Sequence, residues 1–214
     1  MKKSVKNRSV FCVVVGLTFV LIVLSFIFDV QIIKFIESLR NQYLDVYFLI
    51  IEFLSNVFII FFFIICLFSW NKKTRRYVIP AGLTIFLSVI VAVTLKVVVK
   101  RLRPFQEGLV SVLNMLFYEG LGNFNTWNYS FPSFQTMLVF ALVPLLNKKF
   151  RKFKYIWLIF AVSVGLSRMY FGVHYMSDVL SGGLIGYLIG MSMIWLEKRY
   201  GFGGKIVKRF RVFG

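Results

Sequence analysis

The chain has 214 residues, 59% of them hydrophobic and 26 of them Phe, with a mean hydropathy of +0.80. That much apolar surface excludes an ordinary soluble domain, which lacks the interior to hide it. The formal net charge of +18 excludes less than it first suggests, because its distribution follows the apolar runs rather than any single nucleic-acid-binding face. In chain order those runs are Val10–Phe28, Leu49–Trp70, Tyr77–Val99, Phe134–Leu146, Tyr155–Tyr170 and Val179–Leu196. A membrane span needs about 20 residues of helix. The fourth and fifth runs are shorter and would have to extend into their flanks. The first follows basic residues, as a signal peptide does, but it lacks a small-residue cleavage site and further spans follow it, so it reads as a membrane helix. The sequence therefore predicts one all-α, polytopic membrane domain over 1–214 with six transmembrane helices. Residues 29–48 mix Asp29, Lys34, Glu37, Arg40 and Asp45 with Ile32, Ile33, Phe35, Ile36 and Leu39, a pattern that suits an amphipathic helix on the outer surface. Residues 104–132 form a long outer loop marked by Gly108, Gly120, Gly122, Asn123, Asn125 and Asn128. Within that loop, Leu109–Tyr118 is expected to form a short interfacial helix.

Nineteen of the 26 basic residues fall in four segments, 2–8, 72–76, 148–154 and 197–211, which hold a single acid, Glu197. Six spans place all four on one side, and the excess of Lys and Arg makes that side cytoplasmic. The expected location is a plasma or inner membrane, with both termini in the cytoplasm and the site discussed below facing the periplasm or exterior. Anionic lipid headgroups are the expected partner of this charge, and nucleic acid is not. Cys12 and Cys66 both lie in apolar runs, and their spacing suits neither a disulfide nor a metal site. The lone histidine, His174, argues against a multi-histidine metal centre, and no dinucleotide fingerprint or Walker loop is present. No cofactor and no metal are expected.

Against this background Lys96, Arg103 and Arg168 stand at the ends of the third and fifth runs. A charge at bilayer depth is costly and marks a functional site by default. On a helix, Lys96 lies one turn from Lys100 and two from Arg103, so the three share a face. Pro104 ends that helix by Arg103. The competing explanation is snorkelling of long basic side chains to the interface. It suits Arg101, read here as a headgroup contact, and serves the deeper Lys96 least. Lys100 fits either explanation and is kept as an accessory candidate. His174 and Asp178 share a helix face if the last helix begins before His174, and meet across a turn if it begins at Ser177. Taken alone, His174 would be a hydrogen-bonded interface residue and Asp178 a carboxylate favouring a helix dipole. Three cations at the same depth favour a joint site. A phosphate needs several donors with positive charge, and arginine offers a bidentate fork. A histidine can attack phosphorus through one nitrogen while a carboxylate on the other fixes its tautomer. Ser133 follows Pro132 at the start of the fourth run, where it can cap the helix. The amides there, including that of Phe134, can take a phosphoryl oxygen.

These residues resemble the type 2 phosphatidic acid phosphatase (PAP2) superfamily of integral-membrane lipid phosphatases. The family's first motif, a lysine, six residues and Arg-Pro, is matched by Lys96 and Arg103-Pro104. The third, Ser-Arg, five residues, His, three residues and Asp, is matched by Ser167-Arg168, His174 and Asp178. The second, Pro-Ser, one residue and His, reads Pro132-Ser133-Phe134-Gln135 here. The resemblance implies a PAP2-like helical bundle and a metal-independent lipid phosphatase working through a phosphohistidine. In that scheme His174 is the nucleophile and Asp178 orients it. Lys96, Arg103, Ser133, Phe134 and Arg168 bind the substrate phosphate. The place of the general acid is held by Gln135.

Glutamine donates a hydrogen bond but has no proton to transfer near neutral pH. Two origins account for it: natural loss of hydrolysis with lipid-phosphate binding retained, or an engineered His-to-Gln change that traps a complex in an otherwise active enzyme. The expected substrate is a phosphorylated membrane lipid of the outer leaflet. Polyprenyl diphosphate is the first choice, and phosphatidylglycerol phosphate or a lipid A-like phosphate also fit. The alternative is a non-catalytic lipid-phosphate binding protein or a lipid transporter.

Overall fold

The computed structural model describes the backbone of residues 2–111 and 128–211 and the side chains of 13–111 and 128–209. The described residues form eight α-helices: α1 (Lys2–Ser38), α2 (Gln42–Leu54), α3 (Val57–Ser69), α4 (Val78–Val99), α5 (Phe134–Lys149), α6 (Lys154–Tyr170), α7 (Met176–Tyr200) and α8 (Phe202–Arg211). The all-α expectation agrees with this. The expectation of six spans does not. Among the described residues only Val13–Ser38, Arg75–Val99 and Met176–Tyr200 are long and apolar enough to cross a membrane. The pair α2 and α3 would make a fourth if counted as one span bent by 60°.

Each discrepancy has a local cause. The run Leu49–Trp70 is broken because Asn56 caps a new helix, its side chain accepting from the Phe58 amide at 2.9 Å. Asparagine is among the best N-caps, so it starts α3 inside an otherwise continuous apolar stretch. The fourth and fifth runs became α5 and α6, of 16 and 17 residues, which at about 1.5 Å per residue fall short of a hydrocarbon core of about 30 Å. The apolar character of α5 serves the protein interior instead. Eleven of its residues are buried, and it packs against α4, α6 and α7 in the main core with Ile64, Phe68, Ala81 and Val164. An apolar run does not reveal whether its surface meets lipid or protein.

Residues 29–48, expected as one surface segment, are divided between the end of α1 and the start of α2. On α1 the buried positions Ile22, Ser25, Asp29 and Ile33 recur at three- and four-residue intervals and face the bundle. The expected helix over Leu109–Tyr118 lies largely outside the described residues.

The central contact is between α5 and α7. A Cβ at Gly186 would stand 2.0 Å from the Met137 carbonyl oxygen, and one at Gly190 would stand 2.1 Å from that of Ala141. Only glycine lets the two backbones approach this closely, the small-residue packing typical of membrane helices. α5 and α7 both start at one end of the bundle, next to the last turn of α4. At the other end, Gly203 of α8 sits against the Arg76 carbonyl and Pro80, and the Glu197 carboxylate accepts from its amide at 2.9 Å.

Candidate active site

The site end is assembled from the last turn of α4, the loop leading into α5, the end of α6, the link from α6 to α7 and the first turn of α7. Lys96, on the inner face of α4, is 1% exposed, and its Nζ donates to the Tyr129 carbonyl. The helix stops at Val99, with Lys100 as a left-handed C-cap (φ 50°), so it does not continue to Arg103 as expected. Lys100 is exposed there. Arg103 reaches the site from the loop instead. Its Nε donates to the Asn128 carbonyl and its Nη1 to that of Val173, both at 3.1 Å. Arg168, in the last turn of α6, is 1% exposed. Its Nε donates to Ser167 Oγ at 3.4 Å, its Nη1 to Gln135 Oε1, and its Nη2 pairs with the Glu52 carboxylate of α2.

Ser133 is the N-cap residue of α5; its amide donates to the Asp178 carbonyl at 3.1 Å and its hydroxyl lies 2.9 Å from Thr136 Oγ1. Phe134 and Gln135 follow in the first turn of α5. α7 begins at Met176, so His174 and Asp178 meet across the turn. The His174 amide donates to the Arg168 carbonyl at 3.3 Å, which ties the backbone at His174 to the last turn of α6.

The His174–Asp178 pairing is not direct. Nδ1 stands 3.8 Å from Asp178 Oδ2, beyond hydrogen-bond reach. Ser130 lies between them: its hydroxyl donates to Asp178 Oδ2 and its oxygen is 3.4 Å from Nδ1. Nδ1 therefore faces Ser130 and Asp178, which leaves Nε2 on the opposite edge of the ring. Burial, then the charges of Arg103, Lys96 and Arg168, hold the imidazole well below its usual pKa, so it is neutral and carries a lone pair. Asp178 also accepts from the Tyr175 amide at 2.9 Å.

Three further residues belong to this end that were not site candidates from sequence: Arg101, Asp29 and Glu52. Arg101, expected at the headgroups, turns inward. Its Nη1 donates to Asp178 Oδ1 at 2.9 Å and its Nη2 to Asp29 Oδ2 at 2.7 Å, and its guanidinium lies 3.9 Å from the Tyr175 ring centroid. Burial lowers the Arg101 pKa, but Asp178 and Asp29 outweigh it and the net shift is upward. Asp29 itself is buried in α1 and also accepts from the Ser177 amide at 3.0 Å. Glu52 is the third. Glu52 is the sole acid of the apolar run Leu49–Trp70 and Asp29 directly follows the run Val10–Phe28, which was the available signal, since such a charge needs a partner.

The fold and this cluster define a helical membrane bundle with a buried, cation-rich polar cluster at one end. The chain belongs to the PAP2 superfamily, whose family model matches residues 77–201. Every motif residue from Lys96 to Asp178 lies in that stretch, and Asp29 and Glu52 lie before it. The chain is 38% identical over 73 residues to the bacitracin transport permease protein BcrC of Bacillus licheniformis, a match covering 34% of this chain and 36% of that protein. It is 32% identical over 135 residues to an undecaprenyl-diphosphatase of Sulfolobus acidocaldarius, covering 59% of this chain and 58% of the other. The chain thus spans between about a third and three fifths of the length of these two relatives. The crystal structure of Aquifex aeolicus LpxE superposes with a TM-score of 0.63 at 28% identity, covering 78% of this chain and 94% of that one.

Proposed function

We propose that the protein is a lipid phosphatase that transfers the phosphoryl group of a membrane lipid to His174 and then to water. The observation that carries this reading is the convergence of Lys96, Arg103 and Arg168 on a neutral, buried His174 backed by Ser130 and Asp178. A phosphate held by the three cations presents phosphorus to Nε2. Asp178, through Ser130, keeps the proton on Nδ1 and stabilises the cation that forms on attack. The Ser133 hydroxyl and the N-terminus of α5 complete the phosphate cradle. The cations offset phosphate charge without a metal. An outer-leaflet lipid diphosphate of the polyprenyl class is the favoured substrate, supported by the name of the Sulfolobus relative.

The orientation we assign puts the exposed basic end, with Lys72, Lys73, Arg75, Arg151 and Lys152, in the cytoplasm and His174 outside. An impermeant maleimide, applied to a variant lacking Cys12 and Cys66 with one cysteine at position 73, should label only after the membrane is opened. Labelling from outside in intact cells would overturn the orientation.

Gln135 favours a second reading, because a phosphate site without its acid could serve as a lipid receptor or passage. The Gln135→His variant separates the two. With an acid supplied, it should release phosphate from a lipid diphosphate, and His174→Ala should remove that activity. Phosphate-dependent lipid movement between leaflets with no phosphate release in Gln135→His would support transport instead.

A further inference from the structure

Glu52 has no part in the scheme above, yet it meets the same arginine as Gln135. It lies on the stripe of α2 that faces the end of α6. One turn earlier Phe48 stacks on Tyr170, with ring centroids 4.5 Å apart, and Glu52 then pairs with Arg168 Nη2. Nη1 of the same guanidinium donates to Gln135 Oε1. The two amino groups of one planar fork are neighbours, so the Glu52 carboxyl stands beside the amide that occupies the general-acid place.

We propose that Glu52 donates the proton to the leaving oxygen and so supplies the acid that Gln135 cannot. The inference rests on the phosphatase reading. A phosphate arriving at Arg168 takes over the guanidinium from Glu52. A carboxylate and a phosphoryl dianion at such close range do not both persist without a proton between them, as with paired carboxylates. Glu52 is only half-buried, so that proton can come from water. In the first step the Nε2–P bond forms and the P–O bond to the lipid breaks. Its electron pair goes to the leaving oxygen, which takes the proton from Glu52. In the second step water attacks phosphorus and the P–Nε2 bond breaks. The Glu52 carboxylate takes the proton of that water, which regenerates neutral His174 and protonated Glu52 as inorganic phosphate leaves. Glu52 lies outside the family-matched stretch 77–201, so α2, not the motif segment, provides this group.

The test compares the full-length protein with Glu52→Gln, Gln135→His and the double variant in detergent micelles. One substrate is a lipid phosphomonoester, whose alkoxide needs a proton to leave. The other is p-nitrophenyl phosphate, whose phenolate hardly does. Glu52→Gln should lower phosphate release from the lipid by roughly 10²–10⁴-fold and from the aryl ester by less than about tenfold. Adding Gln135→His should restore the lipid reaction. A vanadate-induced thermal shift in each variant reports a folded, anion-binding protein. If Glu52→Gln does not fold, Glu52→Asp must show the same selective loss for the lipid. Equal losses on both substrates, or no loss on either, would make Glu52 only a counter-ion of Arg168 and overturn the proposal. An inactive parent chain that gains activity through Gln135→His alone would also overturn it, with the phosphatase reading intact. Inactivity of every variant, Gln135→His included, would fell the phosphatase reading itself.

Discussion

The two ends of the bundle carry the same residue types in opposite states. At the site end Asp29, Lys96, Arg103, Arg168 and Asp178 are all buried. Partners on α2, α5, α6 and α7 and in two loops meet them. At the other end Lys72, Lys73, Arg75, Arg76, Lys148, Arg151, Lys152 and Lys198 are exposed. Among the described residues there, the one buried acid, Glu197, is engaged by the Gly203 amide. A buried cation must be held by fixed partners, and it can then turn its field on an incoming anion in a low dielectric. An exposed one is shared with water, salt and headgroups and acts through number. The comparison predicts that single substitutions at the site end are severe and specific, whereas those at the basic end are mild and additive.

The largest effect is expected at His174. His174→Ala should lower phosphate release by roughly 10⁴-fold or more, since a nucleophile has no substitute, while vanadate still shifts the melting temperature through Lys96, Arg103 and Arg168. The same residue sets a pH signature. Its folded pKa is depressed well below the ordinary value, so below about pH 6.5 the unfolded chain binds a proton that the native imidazole refuses. Native stability therefore falls as pH drops through that range, and His174→Ala should flatten the slope. An unchanged slope would mean that His174 is not the group held neutral.

Arg101→Ala comes next. It strands Asp29 and Asp178 as buried carboxylates without their shared cation. Breaking a buried pair costs about 3–5 kcal/mol, and because the Arg101 side chain keeps 20% of its exposure the lower figure is expected. Thermal unfolding measures it. Asp29→Asn in the same chain should recover part of the loss, since one stranded charge is removed. Loss of that recovery would show that the Asp29 contact contributes little.

Lys96, Arg103, Arg168, His174 and Asp178 could be singled out from sequence because two short spacings hold them and because charges at such depth stand out against apolar runs. The structure gathers those five at one end. Arg101, Asp29 and Glu52 could not be singled out in the same way. Their partners lie 72, 77 and 116 residues away, as Arg101–Asp29, Arg101–Asp178 and Glu52–Arg168, and no periodicity encodes a contact at that range. Arg101 in particular sits two residues before Arg103, where snorkelling and inward pairing have the same sequence signature. The helical class was legible in composition, but the span count was not. Asn56 splits one run, and α5 spends its apolar face on protein.

A smaller effect is expected where the two ends are joined. Gly186→Ala places a methyl on the Met137 carbonyl, at 2.0 Å before relaxation, so α5 and α7 must move apart. Overpacking of this kind costs about 1–3 kcal/mol. Because both helices begin at the site, kcat should fall along with the melting temperature. Gly82→Ala on α4, where a Cβ meets nothing within 4 Å, is the matched control and should be neutral or slightly stabilising, as expected for Gly to Ala in a helix.

The smallest effect is expected at the basic end. Neutralising Lys72, Lys73 and Arg75 one at a time to Gln should change stability by less than about 0.5 kcal/mol each, as for surface positions without buried partners. Phosphate release in detergent should be unchanged, since none of the three contacts the site. Their contribution should appear only on an anionic membrane, where each basic residue near the surface is worth about 1 kcal/mol. In vesicles with and without anionic lipid, the triple variant should lose the extra thermal stability that anionic lipid confers on the parent protein, and added salt should erase the difference between the two. If one of the three single variants instead reduced catalysis in neutral detergent as strongly as a site-end substitution, the two ends would be coupled through α4, and the division between a buried, paired end and an exposed, shared one would not hold.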